Sequence, residues 1–336
     1  KRLDTTIGDE YIRYGSDLYA LQEFLKNIKA FIASDSERHV LVLFQNPSEI
    51  RPGGGFIGSY ADLTLQNGQM INLDVRDIYD PDGQLFEKFI PPRELQTLTR
   101  TWGARDANWF FDFPSSAQSV SYFLEKSRFY TDRNTTFDMV LAINIRVLES
   151  LLAITGPLEL SEYKLTIQKE NFLREVQREV EAGKDNKAGE PKRILKVLTP
   201  MLLERLQNFS EKDKKSFLEA SSHHIEVKDI MFFAKNPSLQ SFFVSKNIAG
   251  DVYELPQGFW GNYLGVVNAN VAGGKSDAVV DEIVEVRADI DTSGAILTDV
   301  KITRTHRGNK EKDPWWKASN KNFVQIFANP DASLVS

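Results

Sequence analysis

Uninterrupted apolar runs alternate with segments of helical period along most of the chain. Residues Glu10 to Ala33 place Tyr11, Leu18, Leu21, Leu25, Ile28 and Ile32 at helical spacing, which predicts an amphipathic helix with a face to dock. Ser34-Asp35-Ser36 ends it. Val40 to Phe44 is a run of β-branched, leucine and aromatic residues, the mark of a central strand buried on both faces. Phe56 to Leu65 and Met70 to Val75 read as strands joined at Asn67-Gly68, a hairpin turn whose two central positions need positive φ. Pro91 to Thr99 and Ser115 to Lys126 read as helices. Asp138 to Ile143 reads as a second buried strand, and Ile145 to Ala153 as a helix stopped by Thr155-Gly156-Pro157.

Helices are expected over Asn171 to Glu181, Arg193 to Leu206 and Glu211 to Ser221, with the polar stretch Ala182 to Lys192 as a mobile loop between the first two. Tyr263 to Val271 returns to strand. After Gly273-Gly274, the segments Val279 to Ile290, Ile296 to Thr305 and Asn322 to Phe327 alternate apolar and polar residues with no helix between them, which predicts a small antiparallel appendage. The expected fold is α/β: a three-layer α/β/α core with a mixed central sheet, an N-terminal helix and a C-terminal antiparallel β appendage. The expected division is a helical segment over 1–34, an α/β domain over 35–275 and a β-rich appendage over 276–336.

Composition narrows the function classes. A chain of 336 residues with 41% hydrophobic content builds a substantial core. A net charge of −6 argues against nucleic acid as a partner and against non-specific binding to an anionic membrane, so any phosphate recognition must be local. The absence of cysteine excludes disulfides, thiolate catalysis, Cys-ligated zinc and iron–sulfur clusters, and leaves the compartment open. No run is long enough to span a bilayer. The chain starts at Lys1, as expected of a piece of something longer whose membrane anchor lies elsewhere.

Candidate chemistry concentrates in a few places. Arg51-Pro-Gly-Gly-Gly-Phe-Ile-Gly58 follows the first strand, and three glycines beside a cation read either as an anion cradle built on Gly54 and Gly55 or as a plain turn. Arg105-Asp106-Ala-Asn108 joins an arginine that can grip phosphate to an acid that can orient it, bind a divalent ion or take a proton; the bland alternative is a surface ion pair. Asn268, Asn270 and Lys275 either offer polar groups to an anion or shape a turn. Asp80-Pro-Asp-Gly83 reads as a type I turn, because a calcium loop in that register would put Ile78 and Phe89 at ligand positions. Gly273-Gly-Lys-Ser276 lacks the leading glycine and the helix of a nucleotide loop. The adjacent His223 and His224 point about 100° apart on a helix and read as solvated surface residues. Trp102, Trp109, Phe110, Phe111 and Phe113 read as core before they read as a stacking platform for sugar or lipid.

Arg51 to Gly58, Arg105 to Asn108 and Asn268 to Asp277 together resemble the signatures of a bacterial cell-envelope family of unknown function, with an Arg-Pro-x-Gly-Gly-Phe-Ile-Gly motif at its head. The order of strand, arginine loop, strand, Arg-Asp and the segment Phe137 to Gly156 more distantly resembles the LytR-CpsA-Psr family, which transfers glycopolymers from polyprenyl-pyrophosphate carriers to the cell wall.

That resemblance implies an extracytoplasmic, membrane-anchored envelope protein whose partners are a polyprenyl-pyrophosphate-linked glycan and a cell-wall acceptor. It implies pyrophosphate binding by Arg51, Arg105, Lys192, Arg193, Asn46, Gly54 and Gly55, with Asp106 and Arg105 at the chemistry and Asn108, Asn268, Asn270 and Lys275 at the rim. It also implies Mg2+, for which Asp106 is the best single candidate ligand. Asn46 and Gly53 or Gly54 stand where the family carries acids, a departure that leaves the metal and the catalysis open. The competing expectation is a non-catalytic envelope module that binds glycan, lipid phosphate or a partner protein.

Overall fold

The computed structural model describes residues 2–190, 192–259 and 261–335, without the side chains of residues 2–14 and 184. The side chain of Tyr11, and Pro191 in the expected loop, therefore lie outside the described residues.

The chain opens with α1 (Arg2–Ile32), followed by β1 (Arg38–Asn46), β2 (Phe56–Gln66) and β3 (Gln69–Asp77). A single turn α2 (Tyr79–Asp82) leads to α3 (Phe113–Lys126), the short α4 (Arg128–Thr131), β4 (Met139–Asn144) and α5 (Ile145–Thr155). A small hairpin of β5 (Leu158–Leu160) and β6 (Leu165–Ile167) precedes α6 (Phe172–Glu181), α7 (Lys184–Ala188), α8 (Arg193–Gln207) and α9 (Glu211–Glu226). Then come β7 (Ile230–Ala234), α10 (Pro237–Ser245), β8 (Leu264–Ala272), β9 (Val280–Ile290), β10 (Ile296–His306), α11 (Pro314–Lys317) and β11 (Lys321–Ala328).

Five strands form the mixed central sheet in the order β3-β2-β1-β4-β7, with β1 and β4 parallel and the other pairs antiparallel. The β2–β3 turn is closed by Asn67 at φ 50° and Gly68 at φ 78°, as the dipeptide requires. Both faces of β1 are covered. Leu41 and Leu43 pack with Phe113, Ala117 and Val120 of α3, while Val40 and Val42 pack with α10 and with Phe24, Ile28 and Phe31 of α1. Helix, sheet and helix thus form three layers.

The structure departs from the pattern of the sequence in several elements. The docked face of α1 is Phe24, Ile28 and Phe31, with Phe24 stacked on Phe242 at 4.0 Å; Leu18, Leu21, Leu25 and Ile32 are exposed, Leu18 by 68%. Pro91 to Thr99 holds only a 3₁₀ turn at Arg93–Leu95, because the paired prolines limit the backbone and no apolar period follows them. Ala182 to Lys192 contains the helical turn α7, stopped by Gly189 at φ 71°. Asp80 to Gly83 belongs to the helical turn α2 rather than to an isolated turn. The edge strand β7 and helix α10 have no counterpart in the expected elements, nor does the β5–β6 hairpin. At the C-terminus β9 pairs with β10, but β11 pairs with β8, so the chain crosses back over the expected 275/276 boundary.

A second apolar cluster forms beside the sheet where α5, α6 and α8 meet, built on Leu151, Leu152, Phe172, Val176, Leu198 and Leu202. This cluster does not close completely against the sheet, and the gap between them positions the candidate site. Among the described residues no helix is long and apolar enough to cross a membrane.

Candidate functional site

A cavity of 680 Å³ separates the sheet from the α6–α8 layer. One wall is Phe44, Phe56 and Val75 from the sheet; another is Leu195, Leu198, Leu202 and Leu206, one stripe of α8; a third is Phe172, Val176 and Val180 of α6, with Leu148 and Leu151 of α5. The spacings of three and four residues on α6 and α8 are those that put side chains on one helix face. Gly189, in the connection between the two helices, also lines the cavity.

Polar groups gather at one end of the cavity. Lys192 and Lys275 line the cavity there with Glu49, Asp77, Asp80 and Glu181, together with Asn46, Gln177 and Tyr79. Lys192 caps α8 in the left-handed region at φ 70°. Its ammonium donates to Asp77 Oδ1 at 2.7 Å and to the Gly58 carbonyl. Burial lowers the Lys192 pKa, and the Asp77 charge opposes that shift. Lys275 Nζ lies 2.7 Å from Glu181 Oε1. Burial raises the Glu49 pKa against the pull of Arg51 and Lys275. Two lysines thus face four carboxylates, and both lysines are already paired.

Arg51 lies behind this mouth. It is 3% exposed and stacks over the Phe56 ring at 5.2 Å. One terminal nitrogen donates to the Asn270 carbonyl at 2.6 Å and to the Ile50 carbonyl at 3.2 Å; the other donates to Glu49 Oε1 at 3.1 Å and reaches Asp106 Oδ1 at 3.5 Å. Asp106 is buried too, and its other oxygen accepts from Arg105 Nε at 2.9 Å. Arg105 also donates to Thr99 Oγ1 at 3.1 Å and sits 5.2 Å from the Tyr79 ring, whose centroid is equally 5.2 Å from Lys192 Nζ. Arg51, Arg105 and Asp106 therefore form a connected ion-pair network behind the cavity, and none of the three lines it.

The glycine loop turns inward in the same way. The Gly53 amide donates to the Asn108 carbonyl at 3.4 Å and the Gly54 amide to the Arg51 carbonyl at 2.9 Å. A Cβ on Gly53 would fall 2.0 Å from Asn108 Oδ1, and one on Gly54 would fall 2.6 Å from Gln45 Oε1. At Gly55 it would meet the Asn46 carbonyl at 2.7 Å. The missing side chains make room for protein atoms at all three glycines.

The remaining candidates divide. Asn46 and Lys275 line the cavity. Asn108 is fully buried and donates to the Gly55 carbonyl at 2.7 Å. Asn270 donates to Asp277 Oδ2 at 2.7 Å, and the same oxygen accepts from the Ile50 amide at 3.0 Å. Asn268 donates to Glu282 and accepts from Arg304. Arg193 points away from the cavity and pairs with Glu162 and Glu190. Glu49, Tyr79, Gln177 and Glu181 are the mouth residues that sequence reasoning did not single out. The position of Glu49 two residues before Arg51 was the only signal.

For magnesium the donors do not fit. Among the described residues no three acidic or histidine side chains converge as a metal cage, and both Asp106 oxygens face arginines.

His224 corrects the expectation of a solvated histidine pair: it is 6% exposed. Its Nδ1 lies 2.9 Å from Asp229 Oδ2 and its Nε2 lies 2.8 Å from Ser150 Oγ. Ser150 stands in mid-α5, where the neighbouring amides are committed to helix hydrogen bonds and offer nothing to an oxyanion, and it does not line the cavity. This serine–histidine–aspartate chain ties α5 to α9. Of the aromatic group, Trp109 and Phe113 are buried, and Trp109 and Phe111 stack on Phe323 and Phe327 of β11.

Residues 35–180 match the family described as "Protein of unknown function (DUF4012)". This is under half of the chain. No curated protein matches it. Among solved structures, the chain is similar to protein gbs0355 from Streptococcus agalactiae at 16% identity and a TM-score of 0.39, covering 62% of this chain and 74% of that one. It is similar to Lin1025 from Listeria innocua at 11% identity and 0.35, covering 80% and 91%. It is also similar to TagV of B. subtilis at 11% identity and 0.34, covering 65% and 81%.

Proposed function

We propose that the protein binds a lipid-linked glycan of the bacterial cell envelope, with the lipid tail in the cavity and the phosphates at its mouth. The observation that carries this reading is the cavity itself: a slot walled mainly by aliphatic and aromatic side chains along three helices and a sheet, with its charged groups gathered at one end. Such a shape suits an amphiphile, because the tail leaves water while the head keeps its solvation. Lys192 and Lys275 would take the head group. To do so each must share its ammonium between a phosphate oxygen and the carboxylate it already holds. The resemblance to the LytR-CpsA-Psr family, read from the order of motifs along the chain, supports a polyprenyl-pyrophosphate carrier and a place outside the cytoplasmic membrane.

Transfer of the glycan to a wall acceptor is a second reading, favoured by Glu49. It is the carboxyl at the mouth whose pKa burial raises, as a base for an acceptor hydroxyl requires. In that reading the hydroxyl oxygen attacks the phosphorus that carries the glycan, its proton passes to Glu49, and the polyprenyl phosphate leaves. Arg105 and Asp106 would then brace the mouth rather than touch the reacting atoms.

The deciding experiment is a calorimetric titration of farnesyl phosphate into the wild type and into Leu198→Trp, which fills the cavity. Saturable binding to the wild type and loss in the folded variant support the reading; equal binding to both places the ligand elsewhere.

A further inference from the structure

Between α2 and α3 the chain makes a long excursion over residues 83–103, in which the 3₁₀ turn at Arg93–Leu95 is the one helical element. Asp82 closes its neck by accepting from the amides of Ala104 at 2.7 Å and Arg105 at 3.2 Å. That neck stands beside the cavity mouth: Tyr79 and Asp80 line the mouth, and the Arg105 guanidinium lies 5.2 Å from the Tyr79 ring. The loop is anchored from within. The Phe89 ring meets Phe123 edge-on at 5.1 Å, and its carbonyl accepts from the Trp102 amide at 2.8 Å. Leu85 bridges to Ser127, and Leu95 is buried in one apolar cluster with Trp109.

Two side chains of this anchored loop face the other way. Ile90 is 81% exposed and Phe86 73%; apart from Leu334 and Val335 they are the most exposed large apolar side chains among the described residues. Tyr122 of α3 is exposed as well and lies 5.8 Å from the Phe89 ring. Lys88, Arg93 and Arg100 of the loop and Lys126 of α3 are exposed, and among the described residues none of the four forms an ion pair. The acids of the loop are Glu87 and Glu94, and Glu125 beside Lys126 is already paired with Lys235. On a chain whose net charge is −6, four unpaired cations against two carboxylates make a local basic excess around an apolar tip.

We propose that this loop docks the protein on the surface of an anionic lipid bilayer, with Phe86 and Ile90 in the boundary between headgroups and acyl chains and the cations among the lipid phosphates. Side chains that stand this far clear of their own protein need a partner that takes them up without a preformed pocket, and a bilayer interface does so. Lys88 falls between the two apolar residues in sequence, where it can reach the phosphate layer while they reach below it. Cations near an anionic surface gain from its potential while the acidic remainder of the chain is repelled, so the patch sets the orientation as well as the contact. Docked in this way, the protein turns the mouth beside the neck of the loop toward the bilayer. The inference does not depend on what fills the cavity.

The test is co-sedimentation of the chain with vesicles made of equal parts phosphatidylcholine and phosphatidylglycerol, over a range of salt. The wild type is expected to bind, more weakly as salt rises. Phe86→Ser/Ile90→Ser, at two positions the fold does not pack around, should lower the partition coefficient about tenfold or more. Lys88→Gln/Arg93→Gln should lower it by a similar factor and flatten its salt dependence. Leu218→Ser, at an apolar residue of α9 that is 68% exposed, should leave it unchanged. Because the chain has no cysteine, Phe86→Cys and Leu218→Cys can each carry one environment-sensitive fluorophore, and vesicles should shift the emission to the blue at position 86 alone. Absence of wild-type binding overturns the inference, as does an equal loss in Leu218→Ser or a blue shift at 218 and none at 86. An unchanged salt dependence in Lys88→Gln/Arg93→Gln overturns the part given to the cations.

Discussion

Arg51 donates to the backbone carbonyl of Asn270 at 2.6 Å, a contact between residues 219 positions apart. Its other terminal nitrogen faces Asp106. One guanidinium therefore joins the glycine loop, the Arg-Asp segment and the Asn-x-Asn segment. Asp277 adds a second knot by accepting from the Ile50 amide and from Asn270 Nδ2. The three motifs that stand out in the sequence are parts of one brace behind the cavity mouth.

Replacing Arg51 with alanine leaves Glu49 and Asp106 facing each other across a buried gap and frees the Asn270 carbonyl. Breaking a buried ion pair by removing one partner costs about 3–5 kcal/mol. Urea unfolding of Arg51→Ala should show a loss of that order. Lysine cannot reproduce the two-sided fork, so Arg51→Lys should recover less than half of it. A loss below 1 kcal/mol would mean that the guanidinium is free to meet a ligand.

Gly53 tests the inward-facing loop independently. A Cβ there lands 2.0 Å from Asn108 Oδ1. Asn108 cannot swing away without giving up its bond to the Gly55 carbonyl. Gly53→Ala is expected to destabilise by about 1–3 kcal/mol, and Gly53→Ala/Asn108→Ser, which shortens the opposing side chain, should recover part of that loss. A loop that cradled a ligand in open space would accept the alanine with unchanged stability.

Much of the fold is legible because its elements are set locally. Val40 to Phe44 can only be a strand covered on both sides, and Asn67-Gly68 permits little but a tight hairpin. The five-residue run Ile230–Ala234 and the cap at Asn236-Pro237 carried the same kinds of signal for β7 and α10. The site is less legible because its cations carry no mark of what they will face. Arg51 stands beside a glycine turn, and Lys192 stands with Arg193 at the start of a helix. What separates the buried brace from the cavity-lining ammonium is the packing of Asn270 and Asp106 around one, and of Tyr79 and Asp77 around the other. Those partners are 55 to 219 residues distant from Arg51, and 115 from Lys192 in the case of Asp77. The face of α1 was misread for a similar reason: its stripe of leucines is real, but α10 offers Phe242 and Phe243 to the neighbouring stripe of phenylalanines.

Asp82 gives the fold a pH signature. Its carboxylate accepts from the amides of Ala104 at 2.7 Å and Arg105 at 3.2 Å, holding the Arg-Asp turn. Burial nevertheless raises its pKa to about 6. The native state thus holds the proton more tightly than the unfolded chain, so this contribution to stability is fully present below about pH 4 and is lost as pH rises through 6. Asp82→Asn keeps an acceptor for Ala104 and removes the titration. Urea midpoints from pH 4 to 7.5 should fall less steeply for the variant. Parallel profiles would show that the carboxyl is not protonated in the native state.

Lys192 separates the head group from the tail. Its ammonium holds Asp77 at the mouth, so Lys192→Met alone leaves an unpaired carboxylate beside any incoming phosphate. Lys192→Met/Asp77→Asn removes both charges and keeps the apolar stem that lines the cavity. The double variant should bind farnesol as the wild type does, because the walls are unchanged, while its affinity for farnesyl phosphate falls about tenfold or more, as expected for the loss of one charge-assisted bond. Equal losses for alcohol and phosphate would mean that Lys192 acts only on the shape of the mouth. Unchanged affinity for both would move the head-group site to Lys275.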